Sequence, residues 1–281
     1  MSTMRRRLIL TSIAVAVAGA TARAQILAQI PKQVAMTSEE AARSLAPSGV
    51  LKVAINVSNV VLAQRSAKGE LSGVTVFLAR ALAERLKLSI ELIPFETALD
   101  VFNALDKGVM DLGFLAIEPE RAAKIDFSPP YVSIDGTYLV RTDAPFQTVS
   151  DLDRPGVRIA VGRGAAYDLF LTRALKQAQL VRAPTVAASV DMFVSDRLEA
   201  AAGVRQFLVE RAAGNTGLRV LKDRFTSIEQ AMTIPKGRPA GLAYVSAFIE
   251  GMKASGAVRK ALDATGQANA TVAPAGSGSV K

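Results

Sequence analysis

GVMDLGFLAIEPERAAKIDFSPPY, residues 108–131, is the stretch that decides the fold. An apolar strand, Met110–Leu115, runs into a turn marked by Pro119 and then into a short helical turn that carries Arg121. The following segment, Phe127–Tyr131, is predicted to be extended and stiff because two consecutive prolines fix the backbone and disfavour a helix before them. This order places Arg121 near a strand end, where a guanidinium is suited to bidentate binding of a carboxylate. The alternative is an ordinary exposed helix arginine, because a single arginine is weak evidence for a site.

Apolar strands alternate with amphipathic helices around this stretch. The predicted strands are Val50–Val57, Ser89–Pro94 and Met110–Leu115, and the helices between them run to about Lys87 and over Thr97–Asp106. Such a β-α-β-α-β alternation favours a mainly parallel sheet covered by helices, with sites at the carboxyl ends of the strands. Beyond about residue 140 the alternation starts again in a second, smaller unit. The sequence therefore predicts an α/β fold.

The same stretch also resembles a known signature. The order D-x-G-x-x-A-x-x-x-x-R-x-x-x-x-D-F-S-x-P-Y, from Asp111 to Tyr131, is similar to that of the family 3 bacterial extracellular solute-binding proteins, which are amino-acid-type receptors of ABC importers. The resemblance covers about residues 50–265. It implies a two-lobed type II periplasmic-binding-protein fold, with two mixed sheets joined by two hinge strands near Tyr138–Thr142 and Ala231–Pro235. The ligand is then expected in the cleft, which closes by a hinge motion.

The expected organisation divides the chain into five parts. Residues 1–24 are typical of a cleavable secretory signal, with a basic start, an apolar run and a small-x-small motif, so the expected location is the periplasm. A membrane anchor is the alternative, but about 13 apolar residues are short for a bilayer. Residues 25–49 form an N-terminal extension, residues 50–139 and 233–265 lobe 1, and residues 140–232 lobe 2. Residues 266–281, rich in Ala, Gly and Ser, are expected to be a flexible tail.

Composition excludes several classes of site. The chain has no cysteine and no histidine, so a lipid-bearing cysteine, a disulfide and a thiolate metal site are impossible, and the commonest general base is missing. We expect neither a metal nor a cofactor. The formal net charge is +9, but the basic residues are scattered and not interleaved with aromatic residues, so no nucleic-acid partner is expected. The expected assembly is a monomer that contacts an inner-membrane permease transiently.

The resemblance places the ligand's carboxylate at Arg121, which stands where the family has its α-carboxylate-binding arginine. Gly113, Phe114 and Ala116 occupy the positions at which the family usually carries serines or threonines. Backbone N–H groups remain available there, but the hydroxyls are absent. Phe114 is therefore expected to make this wall of the pocket more apolar.

The second lobe's ligand loop resembles G-x-x-G-[ST]-[ST]. Here Gly164, Ala165 and Ala166 stand in it, again without hydroxyls. We expect their N–H groups to open a helix and to favour an anion there. The alternative is a plain strand-to-helix turn, which many α/β proteins have.

Two further positions depart from the family pattern. Asn59 replaces the aromatic of a motif like D-x-x-Y-x-P-F, and it either binds the ligand or serves as a turn residue. Val204 stands where the family has the aspartate that pairs with an α-ammonium, five residues after Glu199. An ammonium buried against valine would lack its counter-charge. The ligand is therefore expected to be a small carboxylate and not a simple α-amino acid.

Three functions compete on these residues. The leading hypothesis is a periplasmic substrate-binding protein of an ABC transporter, without enzymatic activity. The second is an enzyme on the same fold, similar to periplasmic cyclohexadienyl dehydratases, for which Glu118 is the candidate general acid; a helix-start glutamate is the simpler interpretation of that residue. The third is a sensory or accessory binding module that takes no part in transport.

Overall fold

The computed structural model describes residues 37–276. The predicted signal segment, the first part of the predicted N-terminal extension and residues 277–281 lie outside the described residues. Within residues 37–276, no helix has both the length and the apolar character needed to cross a membrane.

Helices and strands alternate along most of the chain. The helices are α1 (Ser38–Leu45), α2 (Val74–Leu86), α3 (Ala98–Asp106), α4 (Pro119–Ala122), α5 (Ala166–Ala174), α6 (Val186–Ser195), α7 (Arg205–Ala212), α8 (Pro239–Ala254) and α9 (Ala257–Asp263). The strands are β1 (Val50–Asn56), β2 (Gln64–Arg65), β3 (Leu71–Ser72), β4 (Ser89–Phe95), β5 (Leu112–Ala116), β6 (Ile125–Arg141), β7 (Arg158–Gly162), β8 (Gln179–Ala183), β9 (Ala200–Val204), β10 (Leu218–Val220), β11 (Thr226–Pro235) and β12 (Thr271–Val272).

Two parallel strand groups flank a pair of long antiparallel strands. The strand order is β4-β1-β5-β11-β6-β9-β7-β8, with β10 and β12 also paired to β6. Strands β4, β1 and β5 run parallel in one lobe, and β9, β7 and β8 run parallel in the other. The predicted α/β class and the type II periplasmic-binding-protein fold are confirmed. The sheets of the two lobes share one hydrogen-bonded ladder because β6 and β11 extend through both.

The two long strands change neighbours between the lobes. β6 pairs with β11 from Ile125 to Gly136, and from Gly136 onward it also pairs with β9 of the second lobe. The exchange in β6 therefore lies earlier in the chain than the Tyr138–Thr142 stretch expected from sequence. On β11 the register shifts on both sides of Ala231. Such irregularities bend a strand and raise its local twist, as expected where two lobes join.

The first half of the signature positions β5. The carboxylate of Asp111 accepts hydrogen bonds from the backbone N–H of Lys52 at 3.1 Å and from the guanidinium of Arg238 at 3.0 Å. Gly113 faces helix α3, where an added Cβ would lie 2.8 Å from Leu105 Cδ1. Asp111 and Gly113 therefore hold lobe 1 together, and they fix the strand that leads to Arg121.

The second half of the signature builds the hinge strand. Ser128 is fully buried, and its Oγ accepts the backbone N–H of Met232 at 3.1 Å, beside the register shift in β11. Lys253 Nζ donates to the carbonyl of Pro130 at 2.9 Å. Tyr131 is fully buried and packs edge-to-face on Phe114, with ring centroids 6.0 Å apart. The hydrogen bonds of Ser128 and Lys253 satisfy backbone groups that an irregular pair of strands would otherwise leave unpaired in the core.

The predicted flexible tail is wrong for residues 266–276. Thr271 and Val272 pair antiparallel with Ser133 and Val132 of β6, and Arg259 Nη1 donates to the carbonyl of Ala270 at 2.6 Å. A polar, small-residue composition suggested disorder, but it does not reveal that an unoccupied edge of β6 is available to the backbone. The remaining residues of that prediction, 277–281, lie outside the described part of the chain.

Candidate functional site

A cavity lies between the two lobes and is walled by residues from both. The volume of the cavity is about 50 Å3. One water needs roughly 10–15 Å3, so the cavity has room for a few waters or a small ligand. The lining residues are Asn56, Ser58, Asn59, Val60, Ala98, Leu115, Ala116, Arg121, Ala165, Ala166, Tyr167, Val186, Val204, Phe207, Ile228 and Gln230.

Arg121 is the charged side chain of this lining. It sits in α4, directly after β5, and only 2% of it is exposed. Its Nη1 donates to the carbonyl of Ala116 at 3.1 Å, which fixes the guanidinium against the end of β5. Its Nη2 donates to the carbonyl of Gly164 at 2.9 Å, across the cleft in the second lobe. The arginine therefore links the two lobes in this closed conformation.

The buried Arg121 has no direct counter-ion. Within residues 37–276, no carboxylate lies within salt-bridge distance of it, and burial lowers the pKa of Arg121 to about 10 although Glu118 and Glu120 oppose this shift. Burying an unpaired cation costs several kcal/mol. Two backbone carbonyls offset only part of that cost. An anion entering the cavity would complete the pairing.

Glu118 is held by a different arginine. Its carboxylate forms an ion pair with Arg173 of α5, and Arg173 also contacts Glu120 Oε2 at 2.7 Å. Burial raises the pKa of Glu118, while the hydrogen bond and charge of Arg173 act in the opposite direction. Glu118 does not line the cavity. These two ion pairs join α4 of one lobe to α5 of the other.

The Gly164 loop does not present the anion-binding N–H groups expected from sequence. The N–H of Gly164 donates to Asp168 Oδ2 at 2.8 Å, and the N–H of Ala165 donates to the carbonyl of Gly162 at 3.1 Å. Gly164 contributes its carbonyl to Arg121 instead. Ala165 and Ala166 line the cavity as expected, and their methyl groups make that side apolar. These two donors are used inside the turn because Asp168, in the first turn of α5, accepts that of Gly164 and the carbonyl of Gly162 accepts that of Ala165.

Two of the residues on β5 that were expected to contact the ligand point away from the cavity. Phe114 packs on Tyr131, and Gly113 faces Leu105, so neither residue lines the cavity. Leu115 and Ala116 form this wall. The expectation that Phe114 shapes the pocket is therefore wrong in this conformation, although the wall is apolar as expected.

The loop after β1 contains two asparagines with different surroundings. Asn56 Oδ1 accepts hydrogen bonds from the N–H and the hydroxyl of Ser58, at 3.1 and 2.7 Å, as expected of a turn residue. Asn59 lines the cavity, and its Oδ1 is buried without a hydrogen-bond partner among the described residues. The side-chain oxygen of Asn59 therefore makes no turn hydrogen bond among residues 37–276, unlike that of Asn56.

Val204 lines the cavity at the start of α7, and no aspartate or glutamate is among the lining residues. Glu199, the retained acid of that motif, is bound to Arg158 outside the cavity. Gln230, Ile228 and Phe207 also line the cleft and were not singled out from sequence. The signal for Gln230 was a glutamine two residues after Ile228, on the same face of the second hinge strand. Among residues 37–276, no cluster of three or more potential metal-ligating side chains occurs.

Comparison with known families explains this arrangement. Residues 51–265 match the bacterial extracellular solute-binding proteins, family 3. The chain belongs to this family. Its members are extracellular, which implies that this protein is secreted and binds a small solute.

Two of the relatives are linked to one enzyme, cyclohexadienyl dehydratase. Cyclohexadienyl dehydratase of Pseudomonas aeruginosa is 29% identical over 165 residues, which are 54% of this chain and 61% of that protein. The matched segment thus spans less than two thirds of that relative. The crystal structure of a reconstructed ancestral amino acid-binding protein, described as a precursor of cyclohexadienyl dehydratase, is 27% identical with a TM-score of 0.66, covering 77% of this chain and 94% of the other.

An arginine-bound protein shares the fold at lower identity. An amino acid ABC transporter substrate-binding protein of Streptococcus pneumoniae bound to L-arginine is 22% identical, with a TM-score of 0.69, covering 80% of this chain and 98% of the other. This likeness supports the fold alone.

Proposed function

We propose that this protein is a periplasmic substrate-binding protein of an ABC importer and that it binds a small carboxylate-bearing solute in the interlobe cleft. Membership of the solute-binding family supports the class of function. The observation that carries the ligand class is Arg121, a buried guanidinium that faces the cavity and has no carboxylate partner among residues 37–276.

The ligand is not a simple α-amino acid in this proposal. An α-amino acid brings an ammonium as well as a carboxylate, and the cavity lining contains no acid to receive the ammonium. Val204 stands where the family's aspartate is expected. A buried ammonium without a counter-charge costs several kcal/mol. An organic acid whose apolar part packs against the wall formed by Leu115 and Ala166 avoids this cost.

A thermal-shift screen of the purified protein against amino acids, keto acids, hydroxy acids, dicarboxylates and aromatic acids tests the ligand class. We expect organic acids to raise the melting temperature and ordinary α-amino acids to leave it unchanged. Micromolar binding of an ordinary α-amino acid would overturn the inference from Val204.

Arg121→Ala tests the carboxylate clamp. Removing one partner of a buried, hydrogen-bonded charge pair costs about 2–5 kcal/mol, so affinity for any acid found in the screen should fall at least 30-fold in calorimetry. Arg163→Ala is the matched control, because Arg163 is exposed beside the same loop. Equal affinity of Arg121→Ala and wild type would show that the arginine is structural.

A dehydratase is the second candidate function. Two observations favour it: the similarity to cyclohexadienyl dehydratase, and a buried Glu118 with a raised pKa near Arg121. Its ion pair with Arg173 leaves Glu118 outside the cavity lining in this conformation. Turnover of prephenate or arogenate that disappears in Glu118→Gln would establish the enzyme. Turnover no faster than in buffer would exclude these two substrates.

A further inference from the structure

Gln230 occupies the floor of the cleft, where the two lobes meet. It lies in β11, paired with Ala116 of β5 on one side and Val132 of β6 on the other. Ala116 is the residue whose carbonyl accepts Arg121 Nη1, so Gln230 neighbours the carboxylate clamp in the sheet. Side chains alternate along a strand, and Ile228 and Gln230 accordingly line the cavity while Glu229 is exposed.

The amide of Gln230 faces the cavity and has no hydrogen-bond partner among residues 37–276. Only 5% of the residue is exposed, and its side chain makes no hydrogen bond to any residue of 37–276. Unlike Asn59 Oδ1, the amide of Gln230 reaches the surface of the cavity, where a water or a ligand can hydrogen-bond it. The serines of the two hinge strands, Ser128, Ser133 and Ser227, are all hydrogen-bonded. A polar group inside the cavity is the partner that remains for Gln230.

Asn59 presents a second amide to the same cavity. Its backbone carbonyl is used by the turn, accepting the N–H groups of Leu62 and Ala63 at 2.9 and 3.0 Å. Its Oδ1, in contrast, is buried and accepts nothing. Asn59 and Gln230 thus supply two neutral amides to a cavity whose charged lining residue is Arg121.

We infer that Gln230 is a specificity-determining residue that hydrogen-bonds a neutral polar group of the ligand, with Asn59 as its partner. The ligand class is a small acid with a hydroxyl or carboxamide in addition to its carboxylate. A neutral group matches two amides, whereas an ammonium or a second carboxylate would be buried without an opposite charge. This inference rests on the proposed carboxylate clamp at Arg121 and names what lies beyond it.

Calorimetry with matched pairs of acids tests this assignment. The pairs are 4-hydroxybutanoate with butanoate, 2-hydroxyisovalerate with isovalerate, and glutaramate with hexanoate. For wild type we expect the polar member of at least one pair to bind ten-fold more tightly or better. In Gln230→Leu, which keeps similar volume and removes the amide, that ratio should fall to about one. Exposed Gln179→Leu is the control and should keep the wild-type ratio.

The outcomes separate this inference from the proposed function. Equal binding of both members of every pair by wild type overturns the inference and leaves the carboxylate clamp standing. No binding of any acid overturns both. A ratio that survives in Gln230→Leu but is lost in Asn59→Leu assigns the recognition to Asn59 and overturns the role of Gln230. Gln230→Met serves if Gln230→Leu does not fold, as judged by circular dichroism.

Discussion

At the scale of single residues, two arginines near the cleft, Arg121 and Arg173, have different partners. Within residues 37–276, Arg121 in α4 donates to backbone carbonyls alone, whereas Arg173 in α5 forms ion pairs with Glu118 and Glu120. Because Arg173 holds these carboxylates outside the cavity, Arg121 keeps its charge available for a ligand. The acids still act on Arg121 at longer range, since their charges oppose the lowering of its pKa by burial.

Gly164→Ala should weaken ligand binding by opposing closure of the cleft. Gly164 has φ +68°, and an added Cβ would lie 2.9 Å from Leu99 Cβ in the other lobe. Ligand affinity measured by calorimetry should fall, and the radius of gyration from solution scattering should rise. The left-handed backbone alone costs about 1–2 kcal/mol of folding stability for alanine.

Gly156→Ala is the control for that change. Gly156 has a similar φ, +82°, but nothing lies within 4 Å of an added Cβ. It should lose a similar amount of unfolding free energy and keep its affinity. Equal loss of affinity in both variants would mean that backbone strain, and not the contact with Leu99, limits binding.

At the scale of elements, the irregular pairing of β6 and β11 is the central device of the fold. The register shifts beside Ala231 leave backbone groups out of the ladder, and Ser128 captures one of them, the N–H of Met232. The strand that carries this irregularity also carries Gln230. The hinge strands therefore connect the lobes and form the floor of the cleft.

Ser128→Ala should destabilise the protein by about 1–3 kcal/mol, because it leaves the buried N–H of Met232 unsatisfied. Urea unfolding measures the change. Ser133→Ala, which removes a half-buried hydroxyl of the same strand bonded only to the hydroxyl of Ser227, should cost less, about 0.5 kcal/mol. Similar losses in the two variants would contradict a special role for the bulge.

The junction of β7 and β9 should give a defined pH dependence. Glu199 accepts hydrogen bonds from the backbone N–H of Arg158 at 2.7 Å and from its guanidinium at 2.9 and 3.0 Å. Arg158 lowers the pKa of Glu199 below its usual 4.5. Its stabilising contribution is therefore present above pH 4.5 and is lost as the pH falls through the lowered pKa. The stability difference between wild type and Glu199→Gln should shrink on acidification.

Glu118 provides the opposite sign in the same experiment. Burial raises the pKa of Glu118 above 4.5. The contribution of Glu118 to the free energy of unfolding is therefore fully present below pH 4.5, and it is lost as the pH rises through the raised pKa. Relative to Glu118→Gln, wild type should lose stability on moving up through that window. The same slope for both glutamate variants would contradict these assignments.

At the scale of the whole molecule, the cleft between the lobes is closed, and only a small cavity remains in it. Arg121 with Gly164, Leu99 with Gly164, and Arg173 with the acids of α4 all join the lobes directly. These contacts stabilise closure before a ligand contributes anything. A ligand shifts the equilibrium only by its differential affinity for the closed form.

Arg173→Ala should shift the ligand-free protein towards an open form. Solution scattering at low salt should give a larger radius of gyration than for wild type, and the difference should narrow near 1 M salt, where surface charges are screened. Arg154→Ala breaks an ion pair with Asp151 inside one lobe and is the control. An unchanged radius in Arg173→Ala would show that the ion pairs do not hold the lobes together.

The sequence by itself determined the family, the fold class and the place of Arg121. These follow from local order: apolar strands, helical periodicity and a signature whose register fixes where β5 ends. The tertiary structure decided which neighbours satisfy each polar group. In the structure, Phe114 and Gly113 face the core, and the N–H groups of Gly164 and Ala165 are bonded within their own turn. Gln230, which the sequence did not single out, lines the cavity.

The physical reason is the range of the interactions. Strand alternation and helical spacing act over a few residues and are visible in the chain. The orientation of a side chain at a strand end, the burial of Gln230 and the pairing of β12 with β6 depend on partners far apart in sequence. Sequence thus singled out Arg121, and only the fold showed that the amides of Asn59 and Gln230 line the same cavity.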